Sequence, residues 1–160
     1  MKVAILSDTH GYKKYMDEVK NIIQKSDLVI HAGDNFADSK YLHKIAKVDI
    51  MAVKGNCDYI NTDDELVFEI EGKTIFLTHG DKYGVNYGIE LIKQKAKEIN
   101  ADIVVFGHTH VPLYIEDEEI IFINPGSLSL PRKVKDRSLV IMDISQNNID
   151  IQFMNFSQHL

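Results

Sequence analysis

The feature that most constrains the fold is an alternation of short apolar runs and helix-like patterns in the first third of the chain. Apolar runs at residues 3–7, 28–32 and 50–53 have the length and composition of buried strands. Between them, apolar side chains recur with helical spacing around Met16 and around Leu42. Parallel strands joined by helical crossovers account for this order, so we expect an α/β layer with right-handed connections.

The rest of the chain is richer in strands. Runs at 66–70 and 74–78, at 111–115 and 120–124, and at 138–144 and 149–153 predict three hairpins. A long helix over 89–99 and a buried strand over 103–106 lie between the first two hairpins. About nine or ten strands are too many for one open sheet in a chain of 160 residues. We therefore expect one α/β (α+β) domain over residues 1–160, a four-layer α/β/β/α sandwich with two stacked mixed sheets flanked by helices.

The composition indicates the cellular compartment and excludes some classes of binding partner. The chain has 24 acidic against 18 basic side chains and no Lys/Arg cluster, so bulk nucleic-acid or membrane-surface binding is not expected. Its apolar runs are too short to span a bilayer, the start resembles a strand rather than a signal peptide, and the single cysteine fits a reducing compartment. These features predict a cytoplasmic protein. A phosphate-bearing substrate stays compatible, because bound cations can supply local positive charge.

Metal-capable side chains stand where the apolar strands stop. They are Asp8 and His10 after the first strand, Asp34 after the second, Asn56 after the third, His79 after the first hairpin, and His108 and His110 after the strand at 103–106. Ligand sites of α/β sheets collect beyond the carboxyl ends of the strands, so we expect these loops to converge at one edge. Each short pattern is weak alone, and their combination in this order carries the prediction.

The donor types favour a particular chemistry. Four histidines, two aspartates and one asparagine, with no thiolate, suit Mn²⁺, Fe, Zn²⁺, Ni²⁺ or Co²⁺ better than Ca²⁺. Seven ligands are too many for one tetrahedral zinc ion and suit two ions with room for water and substrate.

The motifs Asp8-x-His10, Gly33-Asp34, Gly55-Asn56, His79 and Gly107-His108-x-His110 occur in this order. Together they resemble the calcineurin-like metallophosphoesterase superfamily. The length, the block Gly55-Asn56-Cys57-Asp58 and the block Asn124-Pro125-Gly126-Ser127 resemble its small YfcE-type prokaryotic phosphodiesterases.

The resemblance implies a metallophosphoesterase fold with a dinuclear centre. Asp8, His10, Asp34 and His110 would hold one metal, and Asp34, Asn56, His79 and His108 the other, with Asp34 bridging. Mn²⁺ is the first expectation, with Ni²⁺, Fe, Zn²⁺, Co²⁺ or Mg²⁺ as alternatives. A water bridging two such ions becomes a hydroxide near neutral pH and attacks a phosphodiester, and Asn56 would touch both metal and phosphate.

The chain departs from the family at position 57. Many members have a histidine there that is thought to protonate the leaving group, whereas this chain has Cys57 followed by Asp58. A thiol donates a proton less readily than an imidazolium, so either Cys57 or a metal-bound water could serve as the acid. Asn56, Cys57 and Asp58 are the candidate catalytic residues. The alternative for Cys57 is a small buried thiol.

Two further residues are candidate substrate contacts. Ser127 lies in a block that borders the site in the family, and Arg132 could pair with a substrate phosphate. The alternatives are a simple turn and a solvated loop charge. Relatives often have a second histidine where this chain has Asp81, whose role stays open. We expect His31 to be a buried histidine rather than a ligand, and His43 and His159 to lie on the surface.

Three functional classes fit this reading. The first is a metal-dependent phosphodiesterase acting on a small phosphodiester or nucleotide-like substrate, and the alternative enzyme is a phosphomonoesterase. A non-catalytic, protein-binding scaffold of the same fold, as in a retromer subunit, is the second class. The third is a metal sensor or store. Apolar edge strands in the last hairpins make a homo-oligomer plausible.

Overall fold

The computed structural model describes residues 1–158 and contains two five-stranded sheets. The strands are β1 (Lys2–Leu6), β2 (Leu28–His31), β3 (Ile50–Ala52), β4 (Glu65–Ile70), β5 (Lys73–Thr78), β6 (Ile103–Val105), β7 (Pro112–Asp117), β8 (Ile120–Pro125), β9 (Arg137–Ile144) and β10 (Ile149–Phe156). The helices are α1 (Lys13–Ile23), α2 (Ala37–Ala46) and α3 (Glu90–Glu98), with a short 3-10 helix at Asp81–Tyr83. His159 lies outside the described residues.

Both sheets are mixed. The first has the order β10-β9-β1-β2-β3, in which β1, β2 and β3 are parallel and the β9–β10 hairpin is antiparallel. The second has the order β4-β5-β6-β8-β7, with parallel β5, β6 and β8 at its centre and antiparallel strands at both edges. The predicted hairpins are thus present, and β8 also pairs with β6 across a longer connection.

The period-two alternation of β1 explains the layers. Val3 and Ile5 point into a core shared with Ile75 and Val105 of the other sheet. Leu6 points the other way, into the core beneath α1 and α2. A third core, around Phe76, Ile92 and Phe122, lies between the second sheet and α3. The sandwich therefore has the predicted α/β/β/α order. Within residues 1–158, no helix has the length and hydropathy needed to cross a membrane.

Candidate metal centre

Three of the predicted histidine ligands surround the two predicted aspartate ligands. Oδ1 of Asp8 lies 3.1 Å from Nε2 of His110, and 3.9 Å from Nε2 of both His10 and His79. Oδ2 of Asp34 lies 3.3 Å from Nε2 of His79 and 4.0 Å from Nε2 of His10. Loops that follow β1, β2, β5 and β6 therefore converge at one edge of the two sheets.

Asn56 and His108 complete the cluster. Oδ1 of Asn56 lies 3.0 Å from Nε2 of His79 and 3.0 Å from Nδ1 of His108. The fold thus brings together all seven side chains that the strand-end pattern singled out. His108 differs from the other histidines because it turns Nδ1, not Nε2, toward the centre.

Two histidines have their tautomers set by backbone carbonyls. Nδ1 of His79 donates to the carbonyl oxygen of Ala32 at 2.7 Å, and Nδ1 of His110 donates to that of Leu130 at 2.5 Å. Each ring therefore carries a proton on Nδ1 and turns Nε2 toward the carboxylates, so Nε2 is the nitrogen that would bind a cation. Such outer contacts orient and tune histidine ligands in metal sites.

Asp8 provides the test of whether a cation fits. Its Oδ2 accepts from the Ser7 hydroxyl at 2.6 Å and from the His108 N–H at 3.1 Å. Its Oδ1 is buried and has no hydrogen-bond partner within residues 1–158. A buried carboxylate oxygen without a donor is costly, and here it faces imidazole nitrogens instead. A divalent cation satisfies this geometry.

Donor spacing agrees with that test. One donor atom from each of Asp8, His10 and His110 lies within 4.8 Å of the other two, and the same holds for Asp8, Asp34 and His79. This set of nitrogen and oxygen donors suits first-row divalent metals. The residues present therefore fit the cations that the sequence implied.

Most of these ligands sit on left-handed backbone. The φ angles are 53° at Asp8, 47° at His10, 46° at Asp34, 68° at His108 and 59° at His110. Residues other than glycine rarely adopt this region, and such strain concentrates at functional sites. The strained turns after the strands direct these side chains toward the centre.

Glycines allow the loops to approach one another. A Cβ atom on Gly55 would lie 2.0 Å from Oδ1 of Asp34, and one on Gly107 would lie 2.0 Å from Oγ of Ser7. No side chain fits at either distance. This explains why a glycine precedes Asn56 and another precedes His108.

The carboxylates and histidines shift one another's pKa values. Burial opposes protonation of His79, but the hydrogen bond to Asp34 and the charges of Asp8 and Asp34 outweigh it and raise the pKa of His79 to about 9. Burial likewise opposes the charge on Asp34, yet hydrogen bonds from His79 and Cys57 hold its pKa well below the usual range. Burial and the neighbouring His79 lower the pKa of His108.

Cys57 lies exposed at the rim of the centre, so it is not a buried structural thiol. Its backbone N–H donates to Oδ1 of Asp34 at 2.9 Å, and its Sγ lies 3.7 Å from Nδ2 of Asn56. Desolvation by its neighbours, followed by the Asp34 carboxylate, raises the pKa of the thiol to about 11. The thiol therefore keeps its proton at neutral pH.

Asp58, which we predicted to be catalytic, hydrogen-bonds to the backbone of two neighbouring loops. Its carboxylate accepts backbone N–H bonds from Gly55 at 2.8 Å, Phe36 at 2.8 Å and Asp34 at 3.2 Å. Both oxygens are occupied by these donors. These contacts tie the loop after β3 to the loop after β2, and the catalytic role of Asp58 stays a prediction.

Ser127 also differs from its expected role. It is fully buried, and its hydroxyl donates to the carbonyl oxygen of Asp8 at 2.7 Å while accepting N–H bonds from Ser129 and Leu130. No surface of Ser127 is open to a substrate. The predicted substrate contact is therefore replaced by support of the Asp8 backbone.

Arg132 and Asp81 lie at the edge of the centre. The N–H of Arg132 donates to the carbonyl oxygen of His110 at 3.1 Å, and its side chain lines a cavity beside the ligands. Asp81 begins the short 3-10 helix and lines a polar recess with Asn56 and Lys82. Arg132 thus stays a candidate for substrate contact.

His31 is buried and is not among the clustered donors, as expected from its strand. Its Nδ1 accepts from the N–H of Gly33 at 3.2 Å, and its Nε2 lies 2.9 Å from Oγ1 of Thr9. Thr9 in turn donates to Asp38 at 2.5 Å. Burial lowers the pKa of His31. These contacts join the loops after β1 and β2.

His43, by contrast, lies away from the centre, with Nδ1 2.8 Å from the carbonyl oxygen of Val48.

Asn86 is a site residue that sequence reasoning missed. Its side-chain amide lies 3.0 Å from Nε2 of His108, on the ring nitrogen opposite the centre. It belongs to a loop after the 3-10 helix with no motif of its own. Only its polar type, in a loop after a strand end, could have pointed to it.

Known proteins resemble this chain in sequence and in fold. Residues 1–147 match the family model of the calcineurin-like phosphoesterase superfamily domain. The probable metallophosphoesterase YsnB of Bacillus subtilis is 31% identical over 155 residues, covering 96% of this chain and 90% of that protein. The phosphodiesterase YfcE of Escherichia coli is 29% identical over 168 residues, covering 89% and 88%. A solved structure from Streptococcus pneumoniae, described as a predicted phosphoesterase, has a TM-score of 0.83 at 31% identity and covers 96% of this chain and 88% of that one.

Proposed function

The chain belongs to the calcineurin-like phosphoesterase superfamily, and from this premise we propose that it is a metal-dependent phosphodiesterase acting on a small or nucleotide-like diester. The observation that carries the proposal is the buried, unpartnered Oδ1 of Asp8, faced by imidazole nitrogens at 3.1–3.9 Å. A relative named as a phosphodiesterase, at 29% identity, supports the choice of reaction.

We assign the ligands to two cations. Asp8, His10, Asp34 and His110 would hold the first, and Asp34, Asn56, His79 and His108 the second. Oδ2 of Asp34 supports a bridging role, since it faces both His79 and His10. Mn²⁺ is our first choice for this donor set. When bound, the two cations supply a water ionised near neutral pH and positive charge for the phosphate oxygens.

The chain's own groups orient the reaction. Carbonyl contacts fix the His79 and His110 rings, so that Nε2 faces the cations without rearrangement. Asn56 points Oδ1 toward two histidines, which leaves Nδ2 to donate to a phosphate oxygen. Arg132, at the cavity beside the centre, pairs with a second oxygen.

Position 57 favours a diester over a monoester. A monoester carries more negative charge, and expulsion of its alkoxide depends on a strong acid near the leaving group. Cys57 is exposed beside Asp34, where it faces the leaving group, and its thiol is a weaker acid than an imidazolium. We therefore expect activity on diesters with good leaving groups and low activity on monoesters.

Hydrolysis of two model esters tests this function. Metal-stripped protein is assayed with Mn²⁺ added back, on bis-p-nitrophenyl phosphate and p-nitrophenyl phosphate. We expect diester turnover that Asp34→Asn abolishes, while Asp143→Asn, an exposed aspartate on β9, leaves it unchanged. Two tightly bound ions without turnover of either ester, for every first-row metal, would instead leave a non-catalytic scaffold. Turnover of the monoester alone would favour the phosphomonoesterase.

A further inference from the structure

A cavity of about 350 Å³ opens beside the metal centre. Its apolar lining comes from three parts of the chain: Val85 after the 3-10 helix, Phe106 after β6, and Val111 and Leu113 at the start of β7. Val85 and Phe106 are buried, and Val111 and Leu113 are half-buried. Val111 and Leu113 therefore supply most of the apolar surface that the chain leaves exposed in this cavity.

Residues that contact or flank the candidate ligands line the cavity. Asn86 lines it and also contacts Nε2 of His108 at 3.0 Å. Thr109, another lining residue, stands between His108 and His110 in the chain. Arg132 lines it and donates its backbone N–H to His110. A group attached to a phosphate at these histidines therefore enters the cavity directly.

The charge and the volume of the cavity limit the class of ligand that it can bind. The side chains of Arg132 and Lys133 stand at the cavity in a chain of net charge −6, which makes this a cationic place on an acidic protein. Guanidinium and ammonium groups recognise phosphate oxygens. Ligand pockets span roughly 300–1,000 Å³, so this one holds a single ring-bearing group rather than a polymer.

We propose that the cavity binds one organic arm of the substrate, and that this arm is a ring-bearing group of the nucleoside type. The apolar residues contact the ring, Asn86 and Thr109 offer hydrogen bonds to its polar edge, and Arg132 and Lys133 bind anionic oxygens at the mouth. The proposal rests on the proposed phosphodiesterase function and adds the substrate class to it.

Binding of two phosphate monoesters tests the cavity without relying on turnover. Adenosine 5′-monophosphate carries a nucleoside arm, and methyl phosphate carries none. Both are titrated into the Zn²⁺-loaded protein, and the dissociation constants are measured by calorimetry. We expect the nucleotide to bind at least about tenfold more tightly, a gap of about 1.4 kcal/mol. Equal affinities would overturn the proposal.

A matched pair of variants locates the effect. Leu113→Gln replaces apolar surface in the cavity by a side chain of similar size, and Val67→Gln does the same on β4, at the opposite edge of the second sheet. We expect Leu113→Gln to lose most of the nucleotide's advantage while methyl phosphate binds as before. Val67→Gln should retain both affinities. An undiminished advantage in Leu113→Gln would contradict the assignment.

NMR of the methyl groups of the wild-type protein tests the cavity without a substitution. The nucleotide should shift the ¹³C-methyl resonances of Val85, Val111 and Leu113, and methyl phosphate should not. Shifts elsewhere, with these three unmoved, would exclude the cavity. If these methyl groups shift but no diester is hydrolysed with any first-row metal, the phosphodiesterase proposal fails while the site stands. If diesters are hydrolysed and these methyl groups do not move, the cavity proposal alone fails.

Discussion

Oδ1 of Asp8 lies 3.1 Å from Nε2 of His110, and this buried oxygen has no hydrogen-bond partner among the described residues. Nδ1 of the same ring donates to the carbonyl oxygen of Leu130, so Nε2 is the nitrogen left to face Asp8. A buried carboxylate oxygen without a donor costs free energy, which a cation bound between it and the imidazole would offset. The centre is therefore arranged for a ligand that the chain's own groups do not replace.

Asp8→Asn separates the free-energy cost of the buried, unpaired carboxylate oxygen from the stabilisation that metal binding adds. The carboxamide can donate to Nε2 of His110, so the chelator-treated variant should have a Tm equal to or above that of the chelator-treated wild type. A cation at 100 times its Kd stabilises the wild type by about 2.7 kcal/mol, or roughly 5–10 °C for a chain of this length. The variant should lose most of this shift. Calorimetry with and without Zn²⁺ measures both effects, and Asp143→Asn, at an exposed position of β9, serves as control. A full metal-induced shift in Asp8→Asn would contradict the assignment of Asp8.

Metal binding should release a proton from His79. The pKa of this imidazole is raised to about 9, so in chelator-treated protein at pH 7.5 the ring is charged. A cation must displace that proton, and the apparent affinity should therefore rise with pH, by about tenfold per unit from this group, and level off above pH 9. Calorimetry in buffers of different ionisation enthalpy counts the protons. His43→Gln, remote from the centre, should leave the count unchanged. Binding that is independent of pH between 6.5 and 8.5 would contradict a charged His79.

Cys57→His should widen the range of esters that are cleaved. An imidazolium at this exposed position donates a proton more readily than a thiol near neutral pH, which helps poor leaving groups most. The rate constants kcat/KM for a series of aryl and alkyl diesters should therefore depend less steeply on the leaving-group pKa. Cys57→Ser supplies a neutral control of similar size. Identical dependence in Cys57→His and wild type would mean that residue 57 is not the acid.

The sequence was sufficient to predict that the candidate ligands lie close together, because their positions follow from local pattern. Each of Asp8, Asp34 and His79 comes directly after an apolar run, and parallel strands deliver such residues to one edge. The layer order followed from the number of strands, which is too large for one open sheet. What local pattern could not supply was the pairing of β6 with β8 across the β7 hairpin, or that of β9 with β1.

Roles that depend on distant contacts were harder to predict. Asp58 and Ser127 stand in motif blocks and have reactive side chains, yet both are occupied by backbone groups of other loops. Asn86 contacts His108 from a loop with no motif. In each case the partner is far along the chain, so the residue type alone did not distinguish a group that meets the substrate from one that holds the scaffold.

Gly55→Ala tests whether close approach of the loops, rather than backbone freedom, limits the centre. The new Cβ would lie 2.0 Å from Oδ1 of Asp34, so the carboxylate must move away from His79 and His10. We expect the bound metal and the diester turnover to fall at least about tenfold, since 1.4 kcal/mol of lost binding has that effect. Gly72→Ala is the matched control, because Gly72 has a φ of 76° in the β4–β5 turn, with open space around its Cβ position. That substitution should cost about 1–2 kcal/mol of stability and leave metal content unchanged. Metal content measured on purified protein, together with denaturant unfolding, distinguishes the two outcomes, and equal metal content in both variants would show that Asp34 tolerates displacement.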